Sequence, residues 1–180
     1  MGELSGKVAV ITGGGGVLCS AIAVGLAQDG VKIVVLDLAL DKAEATVERV
    51  HQAGSTGLAV KANVLVRQDL ERALEKTLSA FGRVDFLING AGGNPPRATT
   101  GPDQPLFELP EDGVRFVFDL NFLGTFLACQ VFGKAMAEQG EGTILNIVSL
   151  NALRPLTRIP AYSAAKAAVA TYLRSLDAEL

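Results

Sequence analysis

Tryptophan is absent from this chain, histidine occurs once, and cysteine, methionine and tyrosine occur twice each. A single histidine, His51, leaves little for a histidine-based metal site or a serine–histidine–acid triad, and it reads as a solvated residue at a helix end. No metal site is expected. Cys19 and Cys129 lie far apart with no CxxC pair, which reads as reduced thiols in a cytoplasmic protein. There is no basic block either: 16 Lys and Arg stand against 19 Asp and Glu, a formal net charge of −3. Neither nucleic acid nor an anionic membrane is therefore an expected partner. One uncharged run, Val8 to Gln28, imitates a signal peptide or a membrane span. It carries Gly13 to Gly16 in its middle and a β-branched start, so neither an apolar signal core nor a spanning helix fits it.

Apolar residues, by contrast, make up 49% of the chain, and the mean hydropathy is +0.34. That suits a parallel sheet buried on both faces, with some apolar surface hidden by self-association. A length of 180 residues fits a single domain, 1–180. Lys7 to Thr12 reads as a strand, Gly13 to Gly16 as a loop, Val17 to Gln28 as a helix, and Val31 to Leu36 as a second strand ending at Asp37. This order is that of a dinucleotide-binding βαβ unit. Gly13 and Gly16 would let the backbone approach a pyrophosphate, and the helix start at Val17 and Leu18 would offer N–H groups. Asp37 would accept the ribose hydroxyls. Neither Gly13–Gly16 nor Leu38–Leu40 holds a Lys or Arg for a 2′-phosphate, so NAD is expected over NADP.

Further along, Asp41 to Ala53 reads as a helix and Gly57 to Ala62 as a third strand reaching Asn63 and Val64. Arg67 to Phe81 is a second amphipathic helix, and Val84 to Ile88 a fourth strand opening into Asn89-Gly90-Ala91-Gly92-Gly93. Residues 94–110 carry five prolines and no periodicity, the mark of a long functional loop. Glu111 to Gln139 is a long helix, apolar nearly all round; Thr143 to Val148 is strand five, and a last helix runs from Pro160 to Leu180. The alternation predicts an α/β fold, a doubly wound parallel sheet of order 3-2-1-4-5. Gly13 and Asn89 would then flank a cofactor at the switch point, with Ser149 facing its nicotinamide end.

Tyr162 and Lys166 are four residues apart in a run of helix-forming residues, which stacks them one turn apart on one face. A tyrosine is a poor base near neutral pH, and a lysine ammonium held close favours its phenolate. With Ser149 able to bond the same substrate oxygen, the three make an acid/base site for interconverting an alcohol and a carbonyl.

Thr12-Gly13, Asn89 with Ala91-Gly92, Asn121, Ser149, Tyr162 and Lys166 together resemble the short-chain dehydrogenase/reductase family over essentially the whole chain. The resemblance implies a Rossmann fold and a nicotinamide-dependent oxidoreductase. Tyr162 would be the acid/base, and Lys166 would lower its pKa and bind the nicotinamide ribose. Ser149 would orient the substrate oxygen, and Asn121 would help hold a relay water. Asn63, with Val64, stands where an aspartate usually contacts adenine. Asn89 to Pro95, and Ser149 to Leu153 through Pro155 to Thr157, resemble more narrowly the D-mannonate oxidoreductase branch, which interconverts D-mannonate and D-fructuronate. Asn94 and Asn151 would then touch substrate, and Arg97, Arg154 and Arg158 would grip an anionic sugar acid, or else serve surface solubility. A 3-oxoacyl thioester reductase and a non-catalytic dinucleotide-binding module are the competing readings.

Departures from the family pattern accompany the resemblance. Val17 and Cys19 stand where glycines are usual, which would set the helix slightly farther from the pyrophosphate. Cys19 is open to two readings, a space-filler or a thiol of lowered pKa at a helix N-terminus. Gly90 replaces a common asparagine. Family members continue past the Tyr-x-x-x-Lys helix, so the chain is expected to be either a fragment or a natural truncation. In the latter case it would bind cofactor, turn over poorly and aggregate along an exposed sheet edge. The Glu111–Gln139 and Pro160–Leu180 helices are expected to pair with their copies in a homo-dimer or homo-tetramer.

Overall fold

A computed structural model of the protein describes residues 2–179. Five strands form one sheet: β1 (Val8–Thr12), β2 (Lys32–Asp37), β3 (Gly57–Lys61), β4 (Phe86–Asn89) and β5 (Thr143–Asn146). Their order is β3-β2-β1-β4-β5, as the alternation of elements predicts. The pairings β1–β2, β1–β4 and β2–β3 are parallel, with Ile11 opposite both Val35 and Ile88. Every residue of β1 is buried, and β2 is buried from Ile33 to Leu36. A strand covered on both faces has no solvent side, so these read as continuous apolar runs rather than alternations.

The helices are α1 (Val17–Gln28), α2 (Leu40–Gln52), α3 (Arg67–Phe81), α4 (Glu111–Phe118), α5 (Gly124–Gln139) and α6 (Pro160–Glu179). Leu180, the last residue of the expected final helix, lies outside the described residues. α4 and α5 belong to one continuous helix, Glu111–Gln139, interrupted by a π turn over Asp119–Leu123. That helix is long and apolar enough to cross a membrane by length and composition, but half of its most apolar window is buried within the fold. Contacts divide the chain into two compact units, Met1–Ala91 with Leu127–Leu145, and Gly92–Phe126 with Asn146–Leu180.

The first unit carries the sheet. A charged cluster fastens its N-terminal edge. Asp85, 3% exposed, accepts the Val8 N–H at 2.8 Å, lies 3.0 Å from the Lys7 ammonium and pairs with the Arg83 guanidinium at 2.6 Å. Glu141 closes the cluster by bonding both Lys7 and Arg83. Burial pushes the Asp85 carboxyl up, but the bonds from Arg83, the Val8 N–H and Lys7 outweigh it and hold the carboxyl below its usual value.

In the second unit, Ala98, Val117, Ala161 and Ala165 form the core, with Val114, Phe118 and Tyr162 packed against it. Small residues on α6 therefore do what the sequence assigned to helix propensity: they let α4 approach. Strand β5 ends at Asn146, two residues earlier than the apolar run suggests. The Ile147 carbonyl, which would have continued the ladder, accepts the Lys166 ammonium at 2.8 Å instead.

The Asp85 cluster yields a pH prediction. A carboxyl whose folded pKa is depressed contributes stability that is fully present above its unfolded value of about 3.9 and is lost as pH falls through the folded value. Asp85→Ala should cost about 3–5 kcal/mol at neutral pH, since it strands two cations and a buried N–H. It should also remove part of the stability lost below about pH 4. Urea unfolding of both proteins across that range checks both points.

Candidate active site

The glycine loop between β1 and α1 is shaped by close approach. Gly13 has φ +64°, and a Cβ there would lie 2.8 Å from the Ala91 backbone. Only glycine meets both demands. The Thr12 hydroxyl accepts the N–H groups of Gly90 and Ala91 at 3.1 and 3.2 Å, so the ends of β1 and β4 are tied by one side chain. Gly16 N–H returns to the Gly13 carbonyl at 3.0 Å and leads into α1, whose first turn contains no acidic residue. Val17 and Leu18 at that helix start are exposed. The positive end of the helix is thus left open to an anion.

Asp37 ends β2. One of its oxygens accepts the Gly15 N–H and the other the Ala39 N–H, each at 3.0 Å. A carboxylate has about four acceptor sites, so two remain. From α2, the buried Thr46 hydroxyl donates to the Gly14 carbonyl at 3.1 Å. Sequence reasoning missed Thr46, which belongs to no motif and meets Gly14 from 32 residues away. Asn63 bonds locally: its side-chain oxygen accepts the Leu65 N–H at 3.0 Å, while Val64 is buried beside it. Asn89 is buried and donates to the Cys129 sulfur at 3.3 Å. A cradle that a Cβ would fill, an open helix start and an acid with spare acceptor sites together fit a dinucleotide's diphosphate and ribose.

The second unit holds the chemistry-bearing side chains. On α6, the Lys166 nitrogen lies 5.8 Å from the centroid of the Tyr162 ring, as their spacing predicts, and Lys166 is 5% exposed. A Cβ on Gly92 would fall 2.6 Å from the Asn121 side-chain oxygen and 3.3 Å from the Lys166 nitrogen. Asn121 is fully buried within the π turn. Its amide donates to the Val117 and Gly93 carbonyls at 2.8 Å each, and its side-chain oxygen accepts the Gly93 N–H at 3.1 Å. The side chain is therefore a clamp on the Gly92–Gly93 backbone, and the Asn121 main-chain carbonyl accepts the Thr125 hydroxyl at 2.9 Å. Ser149 is extended, and its hydroxyl accepts the N–H of the buried Asn151 at 3.2 Å.

The three arginines proposed for substrate separate. Arg97 lies over the Phe116 ring at 4.8 Å and within 3.8 Å of Asp112. Arg154 is exposed, and its main-chain N–H bonds Leu150. Arg158 lines a cleft together with Asn94.

A model of the short chain dehydrogenase family matches residues 7–180. The chain belongs to this family. It is 49% identical over 175 residues to the uncharacterized oxidoreductase UxuB of Bacillus subtilis (strain 168), covering 93% of this chain and 63% of that protein. It is 30% identical to the 5-keto-D-gluconate 5-reductase of Escherichia coli (strain K12), covering 99% of this chain and 67% of that one. Among solved structures it matches a "putative D-mannonate oxidoreductase" from Haemophilus influenza with bound NAD. That match has a TM-score of 0.91 and 42% identity, over 96% of this chain and 65% of the other. The chain thus spans about two thirds of the length of these relatives.

Two departures from the short-chain dehydrogenase pattern prove to be one. A Cβ on Gly90 would fall 2.0 Å from the Cys19 sulfur. The thiol that replaces a glycine on α1 occupies the space left where Gly90 replaces an asparagine. The expectation that Cys19 sets the helix back is therefore corrected: its volume is accommodated across the contact, and at 4% exposure it is a space-filler. Gly90→Ala should destabilise the protein by about 1–3 kcal/mol through overpacking, and Cys19→Gly in the same chain should restore most of that loss. A double-mutant cycle by chemical denaturation checks the coupling.

Proposed function

We propose that this protein is an NAD-dependent oxidoreductase that interconverts an alcohol and a ketone, acting on a sugar acid of the D-mannonate/D-fructuronate kind. The observation that carries this reading is the placement of the buried Lys166 ammonium 5.8 Å from the Tyr162 ring, beside the Asn121 clamp on Gly92. A binding module would need neither the cation nor the phenol. The names of the relatives support the substrate class, and the bound NAD of the Haemophilus protein supports the cofactor.

NAD, when bound, supplies the two-electron chemistry, and the chain's own residues supply the rest. The Gly13–Gly16 loop and the α1 start hold the diphosphate, with Val17 and Leu18 flanking it, and Asp37 holds the adenosine ribose. Asn63, Val64, Asn89, Ala91 and Gly92 line the cofactor's remaining length. Tyr162 donates its phenolic proton to the alkoxide oxygen that forms on reduction, or takes it back on oxidation. Lys166 stabilises the charge that then appears on the Tyr162 oxygen. Its own position is fixed by the Ile147 carbonyl. Ser149 donates its hydroxyl proton to the substrate oxygen, since that hydroxyl already accepts from Asn151.

Self-association belongs to the same reading, because half of the apolar window in the Glu111–Gln139 helix is left uncovered by its own fold. We place the protein in the cytoplasm, where the buried thiols of Cys19 and Cys129 stay reduced.

Tyr162→Phe should reduce turnover by about a hundredfold or more while leaving NADH affinity within about twofold. Steady-state kinetics with sugar acids, alongside NADH titration, checks both halves. Sugar-acid turnover retained in that variant, or activity confined to 3-oxoacyl thioesters, overturns the proposal. NADH should bind more tightly than NADPH, because the Asp37 carboxylate repels a 2′-phosphate, and Asp37→Ser should narrow the gap. Competitive titration of the two cofactors decides it. Sedimentation at micromolar concentration should show a dimer or larger.

A further inference from the structure

Residues 94–104 do not form a featureless loop. Gly101 and Gln104 make a short antiparallel bridge, and the Gln104 amide donates to the Arg97 and Thr99 carbonyls at 3.1 Å each. With Arg158 this segment walls a cleft of about 440 Å³, within the range of about 300–1,000 Å³ typical of small-molecule sites. Its lining is polar, with Asn94, Thr99, Thr100, Asp103, Gln104 and Arg158 supplying amides, hydroxyls, one carboxylate and one guanidinium.

Arg158 is the unusual member. It is the one non-glycine residue with positive φ among the described residues, at +78°. A side chain in that region costs of order 1–3 kcal/mol and persists only where its surroundings hold it. Here the surroundings are Thr100. Its N–H donates to the Arg158 carbonyl at 2.7 Å, and its carbonyl accepts Arg158 Nε at 3.3 Å. The strained backbone and the bond to Nε fix the guanidinium and leave its terminal nitrogens for other partners. Gly101 keeps one of them open, since even a Cβ there would lie 3.6 Å away. Among the described residues Arg158 pairs with no carboxylate, whereas Arg97 and Arg115 in the same unit pair with Asp112 and Glu111.

The cleft also adjoins the chemistry along the chain. Arg158 precedes Tyr162 by one helical turn's worth of residues, and Asn94 follows by two the Gly92 that lies against Lys166. Asn94 donates to the Thr99 hydroxyl at 2.7 Å, while its own side-chain oxygen is buried without a hydrogen-bond partner. A buried acceptor left unpaired costs about 1–3 kcal/mol, which a ligand hydroxyl reaching it would recover.

We propose that this cleft is the specificity subsite for the acid end of the substrate. Arg158 takes a single carboxylate through its terminal nitrogens, and Asp103, Gln104 and Asn94 take the neighbouring hydroxyls. The ligand class is a polyhydroxylated monocarboxylate. Asp103 in the same cleft disfavours a doubly charged phosphate, and the polar lining disfavours an acyl chain. The proposal rests on the oxidoreductase reading for its purpose, but its test does not.

Arg158→Gly separates binding from architecture, because glycine adopts positive φ freely. Binding of D-mannonate and D-gluconate, and of the neutral alditols D-mannitol and D-sorbitol, is measured by calorimetry on the purified wild type and variant, with thermal unfolding of both. The wild type should bind the acids and not the alditols. The variant should lose about ten- to a hundredfold in acid affinity, the worth of a charged hydrogen-bonded pair, with its melting temperature unchanged or raised. Equal binding of acids and alditols, no acid binding at all, or unchanged acid affinity in the variant overturns the subsite. So does a lowered melting temperature with no selective loss for the acids, which would make Arg158 purely structural. NADH-dependent turnover that ignores the carboxylate sinks the subsite alone, whereas failure to bind NADH sinks the oxidoreductase reading alone.

Discussion

A strand buried on both faces has nowhere along its length to put polar chemistry. β1 is buried throughout and β2 nearly so, and their backbone groups are consumed by the ladders on either side. Polar side chains are therefore driven to the carboxyl ends of the strands, where ladders stop and donors and acceptors fall vacant. Thr12, Asp37 and Asn89 occupy those ends on β1, β2 and β4, and Ile147 follows β5. Each is engaged by a specific partner: two N–H groups on Thr12, the glycine loop on Asp37, Cys129 on Asn89 and the Lys166 ammonium on Ile147. The functional layout follows from exhausting the backbone everywhere else.

Legibility in the sequence tracks how local the signal is. The strand order and the glycine loop were readable because apolar runs, turn glycines and alternating elements are short-range patterns. The stacking of Tyr162 and Lys166 was readable for the same reason, since a four-residue spacing fixes it. What escaped came from long range. The end of β5 depends on a lysine 19 residues later, and the latch on Gly14 depends on a threonine 32 residues later. Arg97, Arg154 and Arg158 look alike in sequence. Only their surroundings distinguish a guanidinium stacked on Phe116 from one held beside an open cleft. The π turn was invisible because Asn121 bonds a carbonyl on its own helix and another from Gly93.

Several of the chain's glycines act by what they leave out. Gly92 leaves room for the Asn121 oxygen and the Lys166 nitrogen, Gly90 for the Cys19 sulfur, and Gly113 for the Arg97 carbonyl, which a Cβ would approach to 2.8 Å. Polar groups can converge at such points because no aliphatic carbon separates them. The cost is conformational freedom in the unfolded chain. It is offset by the bonds that the convergence permits.

The π turn at Asp119–Leu123 makes the Glu111–Gln139 helix sensitive to length rather than to composition. A π turn holds one residue more than the α-helical turn it replaces. Deleting a residue there would restore regular winding but turn all that follows by about 100°. The buried stripe of Ala128, Cys129, Val131, Phe132 and Met136 would swing away from its present neighbours, carrying the sulfur that Asn89 touches with it. Substitutions in this segment can be graded and compensated one by one. Insertions and deletions cannot, so sequence drift here should proceed at constant length.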